Sequence, residues 1–266
     1  MRTLYKQEQL PLWRSAPTQA EHTSTSAARA FREGLHGRFP PRYGRDAWRM
    51  RFDERLVDAL PFARRVLDVG AGSRPTVPPE RRPQGSVYVG LDVDETELRA
   101  APFGSYDELV AADITQPRPE LEGRFDLVLS WFVLEHVGSL AAALRTIQSC
   151  LRPGGRVIAQ FSGARAVFSV LNRMLPEALS SAVVTRAMSR RRESVFPARY
   201  DNCHYDALSR HMSTGWSTWQ IVPLYVAGLY FRFAPPLLGA YLAYEEVAYR
   251  RGWRNLAPYY LVDATR

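Results

Sequence analysis

Apolar residues recur along this chain in two rhythms. Short, nearly unbroken runs (RVLDV from Arg65, VYVGLD from Val87, LVAAD over 109–113, FDLVLSW over 125–131 and RVIAQF from Arg156) read as strands buried on both faces. Between them the period lengthens. In DAWRMRFDERLVDAL, Trp48, Phe52, Leu56 and Leu60 fall on one helical stripe behind a capping Asp46. ETEL starts a short helix, and over 139–151 Leu140, Leu144, Ile147 and Leu151 share a face, with Ser139 as cap and Pro153-Gly154-Gly155 as stop. Strands alternating with helices predict an α/β fold, a parallel sheet with helices on both faces. Ligands of such sheets sit beyond the carboxyl ends of the strands. The residues there are Asp68, Gly70 and Gly72 after the first strand, Asp92 after the second, Asp113 after the third, and Ser130 and Trp131 closing the fourth.

One stretch departs from this rhythm. After Gly70-Ala71-Gly72 come Pro75, Pro78, Pro79 and Pro83, where a dinucleotide-binding protein places a third glycine and a helix. That helix's amino terminus cradles a pyrophosphate, and prolines at these positions prevent it. A nicotinamide dehydrogenase is therefore disfavoured. Asp92, twenty residues beyond Gly72, still suits a ribose diol, so the pattern asks for a nucleoside without phosphate.

The remainder of the chain adds two layers. Residues 1–24 lack periodicity and read as a loose arm, followed by a short helix after Ser24-Thr25-Ser26. Beyond the fifth strand, ARAVFSVLNRML and EALSSAVVTRAMSRRR predict two helices broken by Pro176, a lid-like insertion over about 162–203. STWQIVPLY and PYYLVDATR then read as strands six and seven, with an extra helix over about 236–251 between them. On that helix Tyr241, Tyr244 and Ala248 form a stripe with Tyr249 at its edge. Such a stripe suits a packed face, a dimer surface or a shallow membrane contact. The organisation expected is an arm with a lid helix over 1–45 and one domain over 46–266. At 46% hydrophobic residues, that length supports a real core.

Charge divides the chain further. Residues 66–160 carry 9 Arg against 13 Asp and Glu, while the flanks 1–65 and 161–266 each carry 13 Lys and Arg against 7 acids. The basic flanks are ordinary surface or meet an anionic acceptor; Arg190, Arg191, Arg192 and Arg199 are the cluster in question. The sequence start has no continuous apolar stretch of the kind a signal peptide needs. The longest apolar region, 221–244, is broken by prolines and Arg232. Cys150 and Cys203 have no metal-ligand spacing, so no metal is expected and a cytoplasmic location is.

VLDVGAG, GLDVD, AADIT, FDLVLSWFVLEHV and LRPGGRVI, in this order and spacing, resemble the class I S-adenosylmethionine-dependent methyltransferases, and among them the group that includes quinone-biosynthesis enzymes. The resemblance covers residues 64–160. It implies a Rossmann-like, seven-stranded, mostly parallel sheet with an antiparallel last strand. It also implies S-adenosylmethionine as cofactor, a ligand with adenosine and no phosphate. By the same resemblance Gly70 and Gly72 let the backbone approach the ligand, and Asp68 lies near its ammonium group. Asp92 accepts the ribose hydroxyls and Val93 packs on adenine. Asp113 and the Ile114 amide serve the adenine edge, and Ser130 and Trp131 border the methionyl end.

The acceptor is read as a small molecule or a glycan or lipid intermediate, methylated on oxygen. In LEHV, His136 is the candidate base; the alternative is that Glu135 and His136 brace the turn, and Tyr200 and His204 are further candidates. A nucleic-acid substrate is disfavoured, since SWFV replaces the Asn/Asp-Pro-Pro-aromatic motif of base amino-methyltransferases and no cysteine stands where cytosine C5 chemistry needs one. A non-catalytic binding subunit would keep the same cofactor residues.

Overall fold

All five apolar runs pair in parallel: β1 Arg65–Val69, β2 Val87–Asp92, β3 Glu108–Ala111, β4 Phe125–Trp131 and β5 Leu151–Ser162. β7 (Tyr259–Thr265) runs antiparallel between β5 and β6 (Thr218–Leu224), giving the order β3-β2-β1-β4-β5-β7-β6. The computed structural model describes residues 39–44, 47–174, 198–231 and 234–266. The chain divides into two units, Met1–Pro41 and Arg42–Arg266, and the sheet lies in the second. Around it stand α1 Ala47–Ala59, α2 Glu95–Arg99, α3 Leu140–Cys150, α4 Val167–Met174, α5 Tyr205–Met212 and α6 Pro235–Arg250.

Strand alternation decides which face each helix covers. Leu67, Val69, Val89, Leu91, Val128, Val157, Ala159 and Phe161 share one core with Leu140, Leu144 and Ile147 of α3 and Leu208 and Met212 of α5. The alternate residues face α1, whose Phe52 and Leu56 are fully buried, roughly 1.5–3 kcal/mol each relative to exposure. Gln160 of β5 donates to the Trp48 carbonyl and ties α1 to that face. Ser139 caps α3 through a 3.3 Å bond from the Ala142 amide, as its position predicts.

Two element boundaries differ from the sequence reading. β3 ends at Ala111 instead of 113, because its partner β2 ends at Asp92, and Asp113 accepts the Thr115 amide at 2.8 Å and turns the chain. β5 begins at Leu151, which pairs with Phe125 before the register shifts, so Pro153-Gly154-Gly155 is an excursion inside a strand as well as a helix stop. The helix expected after Ser24, the Asp46 cap, the second insertion helix and Arg190, Arg191 and Arg192 lie outside the described residues.

The Tyr241 and Ala248 stripe of α6 turns out to be a packed face, and it carries a buried acid that its pattern conceals. Glu245 is fully buried and accepts from the Ala227 amide at 2.8 Å, from Tyr241 Oη at 3.3 Å, from Tyr43 Oη and from Arg42. Burial raises its pKa above the ordinary glutamate value of 4.5 despite these donors. The folded state therefore holds this proton more tightly than the unfolded chain does. Its stabilising contribution is complete below 4.5 and is lost as pH rises through the folded value. Glu245→Gln should flatten the decline in thermal midpoint as pH rises above 4.5. Equal slopes for the two proteins would mean that Glu245 titrates as it does in the unfolded chain.

Candidate active site

Beyond β1 the backbone turns through Gly70 and Gly72, with φ of +73° and +50°. The amides of Gly70 and Ala71 donate to the Leu91 carbonyl at 2.7 and 3.1 Å, which binds the turn to the end of β2. Gly72 donates to Asp92 Oδ2 at 2.9 Å, and Asp94 donates to Asp92 Oδ1 at 3.0 Å. Each Asp92 oxygen thus accepts one backbone N–H and keeps a further acceptor site. The two glycines are required for different reasons. A Cβ at Gly70 would lie 2.0 Å from Val133, so the collision the sequence reading assigned to a ligand is internal to the protein. A Cβ at Gly72 would meet only Asp92, at 3.8 Å; its surroundings are open. A carboxylate with spare lone pairs beside open backbone at a strand end fits a ribose diol.

A side-chain network fills the place of the missing first helix. Asp68 is fully buried; Thr76 donates to it through its amide and its hydroxyl, both at 2.7 Å, and Tyr88 through its hydroxyl at 2.8 Å. Burial holds the Asp68 carboxyl above the ordinary aspartate range and, with the Asp68 charge, pushes the Tyr88 phenol up. The Val77 amide donates to Tyr88 Oη at 3.1 Å. Arg82 lies 3.7 Å over the Tyr88 ring and donates to the carbonyls of Val77 and Ser105 at 2.8 and 2.6 Å. From the far side Tyr106 Oη reaches the carbonyls of Ala71 and Gly72 at 2.8 and 3.1 Å. Tyr106 finds room because β2 carries Gly90, where a Cβ would stand 2.7 Å from its ring. A glycine inside a buried strand is the signal by which Tyr106 could have been found. Asp68 is therefore engaged inside the protein, as the anchor of the proline-rich link.

At the far end of the site, β4 delivers Ser130, whose buried hydroxyl has no partner among the described residues, and Trp131. Trp131 packs against Phe52 and Trp48 of α1, with ring centroids 4.7 and 5.4 Å away. Arg49 lies 4.3 Å over the Trp131 ring and donates to Asp53 and to the Thr76 carbonyl at 2.9 and 3.1 Å, joining α1 to the proline-rich link. The sequence reading placed the helix and missed Arg49. Phe132 follows at φ +56°, its ring edge-on to Tyr259, which itself contacts Phe168. Val93, 68% exposed, Asp113 and the buried Ile114 stand at the ends of β2 and β3, where the adenine edge is expected.

Glu135 and His136 part company. Glu135 is buried and accepts from the Ser162 amide at 3.1 Å and the Ser162 hydroxyl at 2.9 Å, while its carbonyl accepts the amides of Arg199 and Tyr200 at 2.9 and 2.8 Å. It braces the chain at Arg199 and Tyr200. Burial raises its pKa, and the neighbouring His136 opposes that shift. The His136 ring is part-buried, and its Nδ1 has no partner among the described residues. Tyr200 is buried next to this brace at φ +54°. His204 stands at the start of α5, its pKa lowered by burial and then by Arg165 and Arg210. Cys150 and Cys203 are free and buried. Among the described residues no cluster of His, Cys, Asp and Glu suits a metal, and no helix is long and apolar enough to cross a membrane.

Comparison with known proteins agrees with this geometry. Residues 42–212 match the model of a methyltransferase domain family. The ubiquinone biosynthesis O-methyltransferase of Vibrio parahaemolyticus is 27% identical over 177 residues, which cover 62% of this chain and 71% of the relative. The protein of that name from Cereibacter sphaeroides is 29% identical over 163 residues, covering 56% and 62%. An S-adenosylmethionine-dependent methyltransferase of Mesorhizobium loti, of known structure, aligns with 84% of this chain and 99% of its own at 18% identity and a TM-score of 0.46. The match over 42–212 takes in every strand end from which the glycine turn, Asp92, Asp113 and Trp131 project, and the chain belongs to the methyltransferase-domain family as an S-adenosylmethionine-dependent enzyme.

Proposed function

We propose that this enzyme methylates an oxygen of a small-molecule acceptor, and that the residues at the strand ends divide the work as follows. S-adenosylmethionine supplies a methyl group on a sulfonium, open to in-line displacement. Asp92 receives the two ribose hydroxyls; its pair of remaining acceptor sites beside open backbone at Gly72 is the observation that carries this reading. Val93 packs on adenine, and Asp113 with the Ile114 amide takes its polar edge. Gly70, Gly72, the Ser130 carbonyl and Trp131 border the methionyl end. Asp68 acts through the link it anchors, and Arg49, held over Trp131 and paired with Asp53, joins α1 to that link. Alignment and exclusion of water supply most of the rate in such a displacement.

Oxygen is favoured as acceptor atom by the names of the curated relatives. The partly exposed Phe132 ring, edge-on to the buried Tyr259, suits a flat acceptor with a hydroxyl. His136 takes the hydroxyl proton, since its part-buried ring is a titratable group at this strand end. The exposed Arg199, whose guanidinium approaches Gly138, favours an acceptor with negative charge.

Transfer of label from methyl-labelled cofactor to a panel of catechols and hydroxybenzoates tests the class. In that assay His136→Ala should lower turnover by roughly 10²-fold or more with cofactor affinity near normal. Full activity in the variant would move the base to Tyr200 or His204. Transfer only to amines or thiols would overturn the oxygen reading.

A further inference from the structure

The outward face of α6 lacks the charges that a surface helix ordinarily carries. Its charged residues before the last turn are Glu245, which points inward, and Glu246, which already pairs with Arg42 and with Arg250 at 2.6 Å. Outward stand Leu237 and Val247, each 46% exposed, with Ala240 and Ala243 between them. The last turn then changes character: Arg250 and Arg251 are exposed, and Trp253 follows at 43% exposure. An apolar helix face ending in arginines and a tryptophan matches a lipid interface, where the ring sits at headgroup depth and the cations meet phosphates.

The position of α6 strengthens this reading. It joins the end of β6 to the start of β7, and Leu224 and Tyr259 pair with each other beside Ser162, at the carboxyl end of the sheet. That end also carries Trp131, Glu135 and His136. A second copy of the chain would suit the apolar residues. Packed α6 against α6, it would offer Arg251 no free acid of that helix, because Glu245 is buried and Glu246 is already doubly paired.

We propose that α6 docks the enzyme on an anionic bilayer, with Leu237, Val247 and Trp253 at the acyl boundary and Arg251, free of the Glu246 pair that engages Arg250, at the headgroups. The assignment does not depend on which acceptor is methylated. Docking would bring the acceptor end of the sheet towards the membrane, so a lipid-dissolved acceptor could enter without crossing water.

Sedimentation of the full chain with vesicles of phosphatidylcholine, with and without phosphatidylglycerol, tests the proposal. Binding is expected to need phosphatidylglycerol, to weaken with salt, and to fall roughly tenfold in Val247→Asp and in Arg251→Glu. Arg64→Glu reverses an exposed charge just before β1, at the opposite end of the sheet, and should bind as the parent does. If Val247→Asp does not fold, judged by its thermal melt, Ala243→Gln on the same face replaces it. Failure of the parent to bind anionic vesicles would overturn the proposal. So would equal loss in Arg64→Glu, which would reduce the effect to general charge. A dimer seen by light scattering that Val247→Asp converts to monomer, with vesicle binding intact, would give the face to a second copy instead.

Discussion

Asp92→Ala should weaken S-adenosylmethionine binding by about 2–4 kcal/mol, a loss of roughly 30-fold to roughly 1,000-fold in affinity. Two losses combine in that figure. The ribose hydroxyls lose a charged acceptor, and the amides of Gly72 and Asp94 lose the partner that fixes the turn. Asp92→Asn separates them, because its amide oxygen still accepts one N–H while the charge is gone. Titration calorimetry should place Asn between the parent and Ala. Unchanged affinity in Asp92→Ala would remove Asp92 from the cofactor site, and tighter binding of NADH than of S-adenosylmethionine would remove the site itself.

The second large effect is on the fold. Asp68→Ala should cost about 3–5 kcal/mol of stability, because it leaves the Thr76 amide, the Thr76 hydroxyl and the Tyr88 hydroxyl without their buried acceptor. Tyr88→Phe should cost less, about 1–2 kcal/mol, since Asp68 keeps both Thr76 donors and only the Val77 amide is stranded. Urea denaturation of the two variants measures both. A loss below about 1 kcal/mol for Asp68→Ala would mean that water replaces the carboxylate and that the link is held by its other contacts.

Both effects bear on what a single sequence discloses. The strands were legible because burial on both faces leaves an unbroken apolar run, and the candidate cofactor residues were picked out because each stands where such a run ends. What the link does in place of a helix was not. Its bonds join residues 20 and 35 apart, Asp68 to Tyr88 and Ala71 to Tyr106, and no periodicity reports contacts between a loop and a distant ring. Arg49 was hidden for a similar reason: its stripe shows Trp48 and Phe52 packing, while its partners, Trp131 and the Thr76 carbonyl, belong to other elements. Glu245 was hidden by composition, since an acid beside a second acid on a helix reads as solvated. The β5 excursion was missed because Pro-Gly-Gly marks a stop equally well in a helix and in a bulged strand. Asp92, Asp113 and Trp131 were read at one end of the sheet because parallel strands bring their carboxyl ends together, and β1 to β5 do run parallel.

The proline-rich link has an entropic consequence. Pro75, Pro78, Pro79 and Pro83 restrict the unfolded chain as well as the folded one, and a proline at a compatible position removes about 0.4–1 kcal/mol of unfolded-state freedom. The link thus costs the chain less backbone entropy to order on folding than a run of alanines would. Replacing these prolines with alanine would therefore lower the stability of the fold by widening the unfolded ensemble, while the folded network around Asp68 keeps its bonds.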